Sequence, residues 1–214
     1  MGILERRNRE KEKRRNQIIN TARKEFIRSG IRHTSIKQIA QKAEVSPRTI
    51  YTYFQNTPEL YGAVLLNGLK VLSDGINKIA STEADSLKAL EKVKDLLTEF
   101  YSKEKEYFRI MMFIGFHDIH NEVSKDTCEA ISKSVLNFIT TLCQIIEKVD
   151  KEYLPKAVTP WKLSWILWSL FVGIGHLNEA RKSLNVGKND FVPLFSLAFN
   201  SLLSSNCSKK GGEK

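Results

Sequence analysis

Residues 35–54 of this chain, SIKQIAQKAEVSPRTIYTYF, predict two short helices joined by a tight turn. Ser35 can cap the first helix, because its hydroxyl can accept a hydrogen bond from a free backbone N–H. Glu44-Val45 forms the predicted corner, and Ser46 caps the second helix with Pro47 at its first position, where no N–H donor is needed. Apolar residues recur at one-turn spacing in the first helix and predict a buried side: Ile36, Ile39, Ala40 and Ala43.

The predicted second helix has one buried and one polar side. Ile50 and Phe54 lie on the buried side, and the other side carries Arg48, Thr49, Tyr51 and Thr52. Such side chains can donate to phosphates and base edges or lie on a thymine methyl group. A short capped helix of this kind after a tight turn is typical of the reading element of a helix-turn-helix. Many helical proteins also contain two short amphipathic helices and a corner, so the motif alone leaves DNA binding open.

The charge distribution favours DNA binding. Residues 1–56 contain 14 Lys and Arg against 5 Asp and Glu, a net charge of +9, whereas residues 57–214 contain 20 against 19. Nearly all of the chain's +10 excess is therefore on the segment with the predicted helix-turn-helix. This asymmetry is the electrostatic pattern expected of a protein that binds a polyanion.

The chain before this motif is predicted to be helical from Arg14 to Ser29, with Gly30 ending the helix. Residues 1–14 form a mixed-charge arm, which we expect to be a solvated, frayed helix start. Such an arm can follow a DNA backbone or enter the minor groove.

Residues 15–64 resemble the N-terminal domain of the tetracycline-repressor (TetR/AcrR) family, in order and without gaps. The agreeing positions are Ile18-Ile19, Ala22, Phe26, Gly30, Thr34-Ser35-Ile36, Ile39-Ala40, Ala43, Val45-Ser46, Thr49-Ile50-Tyr51, Tyr53-Phe54 and Glu59-Leu60. The resemblance implies a three-helix DNA-binding domain, a divergent all-helical ligand domain and a two-fold dimer.

Two positions depart from the family pattern. The family usually has Gly before the Thr of the reading helix, where this chain has Arg48, which offers an additional base contact. It usually has a phosphate-binding Lys just before the fourth helix, where Thr57 stands, and this puts one phosphate contact in doubt. The predicted DNA-binding residues are Thr34, Lys37, Ser46, Arg48, Thr49, Tyr51 and Tyr53.

The predicted fold class is all-α, with about nine helices and no sheet. We expect a helix-turn-helix DNA-binding domain over residues 1–56 and a helical ligand-binding and dimerisation domain over residues 57–214. Thr57 is the predicted cap of the connecting helix, with Pro58 at its first position. Apolar stripes predict further helices at residues 84–102, 104–120, 121–150, 160–180 and 190–204.

The segment 104–120 contains more large apolar residues than one stripe needs. Methionine and aromatic side chains at this density fill a core or line an adaptable hydrophobic pocket. The pocket hypothesis predicts a hydrophobic or aromatic effector; the alternative is that these residues close the core and the dimer interface. The predicted ligand-binding residues are Tyr107, Met111, Met112, Phe116, His117, Trp165 and Trp168. His117 has His120 nearby, but no carboxylate or cysteine cluster accompanies them, so we predict no metal site.

The segment from Trp161 to Leu177 is apolar nearly all round. A helix without a wet face is buried on both sides, and in a chain of this size a partner subunit best supplies the second side. We therefore expect an isologous four-helix interface between two copies, with Phe171 or Phe195 facing the two-fold axis.

Other features of the sequence restrict the function classes. It contains no nucleophile elbow, zinc-helix motif, phosphate loop or paired-cysteine motif, so we expect neither an enzyme nor a cofactor. The three cysteines lack metal-ligand spacing and indicate reduced thiols in a cytoplasmic protein. The longest apolar run is shorter than a membrane span, and no signal peptide is present, so no membrane partner is expected.

The sequence therefore predicts a dimeric, sequence-specific transcriptional regulator. Its partners would be double-stranded DNA with a palindromic operator, a second copy of the chain and a small effector that releases repression. Two alternatives stay open: an architectural DNA-binding protein without a ligand, and a helical enzyme or lipid carrier that uses the aromatic segment.

Overall fold

The computed structural model describes residues 2–113, 122–184 and 190–203, without the side chains of Arg32, Phe113 and Ser183. Within these ranges the regular structure consists of nine α-helices and two short 3-10 turns, so the prediction of an all-α fold with about nine helices is confirmed. The helices are α1 (Ile3–Ser29), α2 (Ile36–Lys42), α3 (Pro47–Tyr51), α4 (Thr57–Thr82), α5 (Ser86–Lys103), α6 (Lys105–Phe113), α7 (Lys125–Glu147), α8 (Pro160–Ser183) and α9 (Phe191–Leu203). The 3-10 turns are Ile31–His33 and Lys151–Tyr153.

The chain divides into two compact units. The first, here called unit 1, comprises Met1–Leu69 and Glu106–Ser132, and unit 2 comprises Lys70–Lys105 and Lys133–Lys214. Helices α4 and α7 each contribute residues to both units. The functional boundary predicted between residues 56 and 57 remains a prediction.

Unit 1 is built on a small three-helix core. Apolar residues of α1, α2 and α3, together with one residue just after α3, are buried: Ile18, Ile19, Ala22, Phe26, Ile36, Ile39, Ile50 and Phe54. Tyr61 of α4 extends this core, because its ring lies 5.3 Å from that of Phe26 and its hydroxyl donates to the Ile110 carbonyl at 2.6 Å. Burial raises the pKa of Tyr61, so the phenol stays a neutral donor.

The first helix begins earlier than predicted, at Ile3 rather than near Arg14. The expectation of a frayed start over residues 1–14 is therefore wrong in this structure. No Gly or Pro interrupts residues 3–29, and Arg6 pairs with Glu10 one turn later at 3.2 Å. The Gly2 N–H donates to Glu5 at 3.1 Å and so satisfies a donor at the helix start.

The predicted cap of α4 is displaced by one residue. Asn56, not Thr57, accepts from the Glu59 N–H, at 2.8 Å through its side-chain oxygen. Asparagine is among the best N-cap residues, and the Asn56 carbonyl also accepts from the Leu60 N–H. Pro58 therefore lies in the first turn of α4 but not at its first position.

Unit 2 has an aromatic core where α8 and α9 pack together. Phe171 of α8 lies 6.0 Å from the rings of both Phe191 and Phe195, and 6.4 Å from Phe100 of α5. Phe171 and Phe195 are both fully buried inside the single chain. The expectation that one of them faces a partner subunit is therefore wrong, because each is already enclosed by aromatic neighbours of its own chain.

Candidate nucleic-acid interface

Local hydrogen bonds fix the start of α2. Ser35 accepts from the Gln38 N–H at 3.2 Å, and the Gln38 side chain accepts from the Ser35 N–H at 2.8 Å. This reciprocal pair is a capping box, which satisfies two donors that would otherwise lack partners. The Ser35 cap predicted from the sequence is confirmed.

The corner between α2 and α3 is fastened to α1. Glu44 adopts a left-handed conformation, with φ of 53°, and is the residue that reverses the chain. The Gln17 side chain of α1 donates to the Ala43 carbonyl at 2.9 Å. Because α1 holds this carbonyl directly, the angle between α2 and α3 depends on long-range contacts as well as local ones.

Ser46 caps α3 as predicted. Its hydroxyl oxygen accepts from the Thr49 N–H at 3.0 Å and lies 2.9 Å from the Thr49 hydroxyl oxygen. One of these two hydroxyls donates to the other, so the pair retains one O–H that can donate to an external acceptor. Ser46 and Thr49, both predicted to contact DNA, thus lie together at the start of the helix.

The outer face of α3 is available to a partner. Arg48 and Thr52 are exposed, and Tyr51 is 56% exposed although tyrosine is largely apolar. Ile50 on the opposite side is fully buried and anchors the helix. Lys37 is exposed on α2. The predicted base-contacting side chains therefore lie on a short, rigid element that the core supports from behind.

Two predicted DNA contacts have additional structural roles. Thr34 is only 6% exposed, and its hydroxyl donates to the Gly30 carbonyl at 2.7 Å, so it holds the connection between α1 and α2. Tyr53 is half-buried beside Phe54, with 6.4 Å between the ring centroids. The Arg15 guanidinium stacks over the Phe54 ring at 5.4 Å and ties the end of the motif to α1.

A small open cavity of about 190 Å³ lies in unit 1 behind the motif. Its lining residues come from α1, the end of the motif, α4 and the start of α7: Arg15, Tyr53, Phe54, Gln55, Glu59, Ala63, Leu66, Ser124 and Thr127. None of these residues except Tyr53 was predicted as a site residue, because long-range packing brings them together and no spacing in the sequence indicates it.

Glu59 is the central polar group of that cavity. Its carboxylate accepts from the Ser124 N–H and, at 2.7 Å, from the Thr127 hydroxyl, so it caps the start of α7. Burial raises the pKa of Glu59, but the hydrogen bonds from Thr127 and Ser124 outweigh burial and leave the pKa below its usual value. The carboxylate is therefore ionised and binds two donors of its own chain.

The predicted ligand-binding residues fall into three groups. Tyr107 and Met111 are buried in unit 1, and Met112 is half-buried there. The Arg23 guanidinium lies 4.5 Å above the Tyr107 ring and pairs with Glu106 at 2.9 Å. The tryptophans belong to unit 2, where the Trp165 ring lies 6.1 Å from that of Trp161 and the Trp168 ring lies 5.2 Å from that of Phe138. Phe116 and His117 lie outside the described residues.

Two further properties concern only the part of the chain that the structure describes. There, no three His, Cys, Asp or Glu side chains come close enough together to hold a metal ion. None of the helices in those ranges combines the length and the apolar composition that crossing a membrane requires.

Residues 18–64 match the family model of bacterial regulatory proteins of the tetR family. The chain is 27% identical over 101 residues to the HTH-type transcriptional activator FasR of Mycolicibacterium smegmatis, a match covering 47% of this chain and 46% of FasR. The chain thus spans about half the length of that curated relative.

Solved structures share the fold. The fatty acid degradation regulator FadR from Bacillus halodurans superimposes with a TM-score of 0.69 over 93% of this chain and 99% of FadR, at 14% identity. AibR, solved in complex with isovaleryl coenzyme A and operator DNA, gives a TM-score of 0.67 over 89% of this chain and 98% of AibR, at 15% identity. At such identities the likeness concerns the fold alone.

Proposed function

This chain belongs to the TetR family of bacterial regulatory proteins, and from that premise we propose that it is a dimeric, sequence-specific transcriptional repressor released by a small hydrophobic ligand. The observation that carries the proposal is the outer face of α3. This face presents Arg48 and Tyr51 to solvent on the segment that holds nearly all of the chain's excess positive charge. A rigid, basic, exposed helix after a fixed corner fits the major groove.

The DNA-binding side chains have different roles, which follow from their chemistry. Arg48 and Tyr51 read base edges, because they are long, exposed and carry donors. Lys37, Tyr53 and the Ser46–Thr49 hydroxyl pair donate to phosphates and fix the register without reading sequence. Thr34 contributes by holding the start of α2 at the DNA surface.

The dimer is supported by exposed apolar side chains on two helices of unit 2. Leu177 on α8 and Leu197 on α9 are 58% and 66% exposed, unusually high for leucine. Ile166 lies on the same side of α8 as Leu177, and Gly173 between them has open space where a Cβ would stand. Exposed apolar patches of this kind mark interaction sites, and a two-fold partner covers the patch with the same patch.

In such a dimer, the distance between the two α3 helices determines whether the operator can be bound. A dimer that binds a palindromic operator must place its two α3 helices in successive major grooves, about 34–36 Å apart. A ligand that prefers a different spacing lowers DNA affinity by its differential affinity for the two states.

The effector proposed is hydrophobic, and its candidate contacts are Tyr107, Met111 and Met112 for a site in unit 1, or Trp165 and Trp168 for a site in unit 2. The aromatic and methionine content of α6 and α8 supports such a guest. AibR was solved with isovaleryl coenzyme A, and FadR is named for fatty acid degradation, so acyl-coenzyme A compounds are the first class to test.

The test begins with DNA selection. Purified full-length protein is incubated with a random duplex pool, and bound DNA is amplified and sequenced over several rounds. We expect enrichment of a palindrome whose half-site centres are one helical turn apart. Titration with isovaleryl coenzyme A and longer acyl-coenzyme A compounds should then change tryptophan emission saturably and weaken binding to the selected duplex.

Two results would overturn parts of the proposal. Equal affinity for selected and scrambled duplexes, with a steep salt dependence, would instead favour an architectural DNA-binding protein. Specific DNA binding that no acyl-coenzyme A compound alters would remove this ligand class and leave the DNA-binding assignment intact.

A further inference from the structure

The first three turns of α1, Ile3 to Arg14, extend beyond the three-helix core as a helix exposed on all sides. Every residue from Gly2 to Arg14 is exposed, and burial begins only near Ile18. Such a projection buries almost nothing, so it contributes little to the stability of unit 1. Its many Lys and Arg residues therefore do not serve to stabilise the core.

The projection leaves the core beside the reading helix. Arg15 stacks on Phe54, three residues after α3, and Gln17 binds the Ala43 carbonyl just before the corner. The opposite end of α1 lies near α4, where Phe26 contacts Tyr61. The residues before Arg15 therefore project from the end of unit 1 at which α3 is held.

Three cations of the projection form one stripe. Arg7, Lys11 and Arg14 are spaced by four and three residues, so they lie on one side of the helix. The next position in this series is Ile18, which is fully buried against the core. The stripe thus continues the core-facing side of α1 and points to the side on which α2 and α3 lie.

Two of the three acidic residues of the projection bind groups outside this stripe. Glu10 pairs with Arg6 at 3.2 Å, and Glu5 accepts from the Gly2 N–H. Within the described residues Arg7 and Lys11 make no ion pair, and Arg14 donates to the uncharged Gln17 side chain at 3.1 Å. A row of cations about 10 Å long, at 1.5 Å of rise per residue, therefore faces solvent without a counter-charge.

We propose that the stripe Arg7–Lys11–Arg14 is a second DNA-binding element, which contacts backbone phosphates of the duplex next to the base pairs read by α3. The proposal rests on the proposed function and adds to it a separate, sequence-independent part of the interface. A pre-formed helix holds its cations in place before binding, so less side-chain and backbone entropy is lost than with a disordered arm.

The test compares two triple variants of the full-length protein. R7Q/K11Q/R14Q removes the stripe, and R6Q/R9Q/K13Q removes the same charge from the other side of the same helix. All six residues are exposed or at the surface of the projection, so both variants should fold, which circular dichroism can check. Equilibrium binding to the selected operator is measured between 50 and 200 mM salt, the range in which phosphate contacts have large effects.

Loss of three phosphate contacts from each subunit, six per dimer, should make the slope of log K against log salt about 5.4 less steep, at 0.9 per contact. Between those salt concentrations the unmodified dimer should lose on the order of 2,000-fold more affinity than the stripe variant, while the control variant keeps nearly the original slope. Trimming the base pairs outside the selected palindrome should weaken binding of the unmodified protein but not of the stripe variant.

The outcomes separate this inference from the proposed function. If the unmodified protein does not prefer the selected duplex over a scrambled one, the proposed function itself fails. If it prefers that duplex but both triple variants have the same slope, the stripe has no specific role and only this inference fails. Binding to phosphatidylserine vesicles that the stripe variant loses, with unchanged DNA slopes, would assign the stripe to a membrane surface instead.

Discussion

Glu59 and Thr127 are 68 residues apart in the sequence, yet the Thr127 hydroxyl donates to the Glu59 carboxylate at 2.7 Å. The same carboxylate accepts from the Ser124 N–H, so a side chain from the first turn of α4 caps α7. An anion at a helix start also interacts favourably with the helix dipole. Because α4 directly follows the helix-turn-helix, this contact ties the DNA-reading motif to the start of α7 within unit 1.

Replacing Glu59 by Gln should therefore destabilise the protein in a pH-dependent way. We expect a loss of about 1.5–2 kcal/mol at neutral pH, the lower part of the range for hydrogen bonds to a charged group, because Glu59 is only partly buried. Since the folded-state pKa of Glu59 is lowered, its contribution is present above the unfolded-state pKa and is lost as the pH falls through the folded pKa. Urea unfolding of both proteins across this range measures the difference.

A double-mutant cycle isolates the contact. Thr127→Val removes the hydroxyl donor and keeps the shape, and the two substitutions together should cost less than the sum of each alone. If the unfolding free energies of unmodified protein and Glu59→Gln fall in parallel as the pH is lowered, the carboxylate makes no special contribution in the folded state.

The same junction has no room for a side chain at Gly62. A Cβ at this position would stand 2.6 Å from the Thr127 methyl carbon, and the bond to Glu59 restrains that side chain. Gly62→Ala should thus destabilise unit 1, because overpacking costs about 1–3 kcal/mol and exceeds the helix-propensity gain of about 1 kcal/mol. Thermal or urea unfolding of the variant measures the net effect.

A second substitution provides the control. Thr127→Ser removes the clashing methyl group but retains the hydroxyl that binds Glu59, so Gly62→Ala with Thr127→Ser should recover the lost stability. If the double variant is no more stable than Gly62→Ala alone, crowding by Thr127 is not the reason for glycine at this position.

The locally determined parts of this structure were predictable from the sequence. Ser35 and Ser46 cap their helices as expected, since each cap requires only residues within one turn. The buried residues of α1 from Ile18 to Phe26 follow the helical period, so the sequence alone is enough to locate that side of the helix.

Long-range packing was not predictable in the same way. Asn56 and Thr57 are both good N-cap residues, so local preferences did not decide between them. In the structure Asn56 caps α4. Helix α8 is apolar on most sides, so its sequence did not indicate that Phe171 faces its own core while Leu177 faces solvent. Likewise, nothing in the spacing of Glu59 and Thr127 indicated their contact.

Arg48 is the side chain on which sequence preference should depend most. It is exposed on α3 at a position where the family usually has glycine. We expect Arg48→Ala to relax specificity at one base pair and to cost about 1–3 kcal/mol of binding free energy on the selected operator. Titration of the variant with selected and scrambled duplexes by fluorescence anisotropy measures both effects.

Lys42→Ala is the matched control for Arg48→Ala, because it removes one positive charge from the exposed end of α2. Its effect should be small and equal on the two duplexes, as expected for a charge that reads no base. Equal losses on both duplexes for Arg48→Ala as well would mean that Arg48 contacts only the backbone.

The exposed leucines of unit 2 should control assembly. Leu177→Arg and Leu197→Arg place charges on a face that is apolar but solvent-exposed in the single chain, so each variant should fold normally and sediment as a monomer. Monomers engage one half-site at a time and should bind the operator about 10²–10⁴-fold more weakly.

Leu136→Arg on α7 is the control, because Leu136 is 47% exposed, comparable to the other two, and lies on another helix. Phe171→Arg should instead unfold unit 2, since that ring is fully buried among aromatic neighbours. A monomeric sedimentation coefficient for the unmodified protein at micromolar concentration, or monomers produced equally by all three leucine variants, would exclude α8 and α9 as the dimer interface.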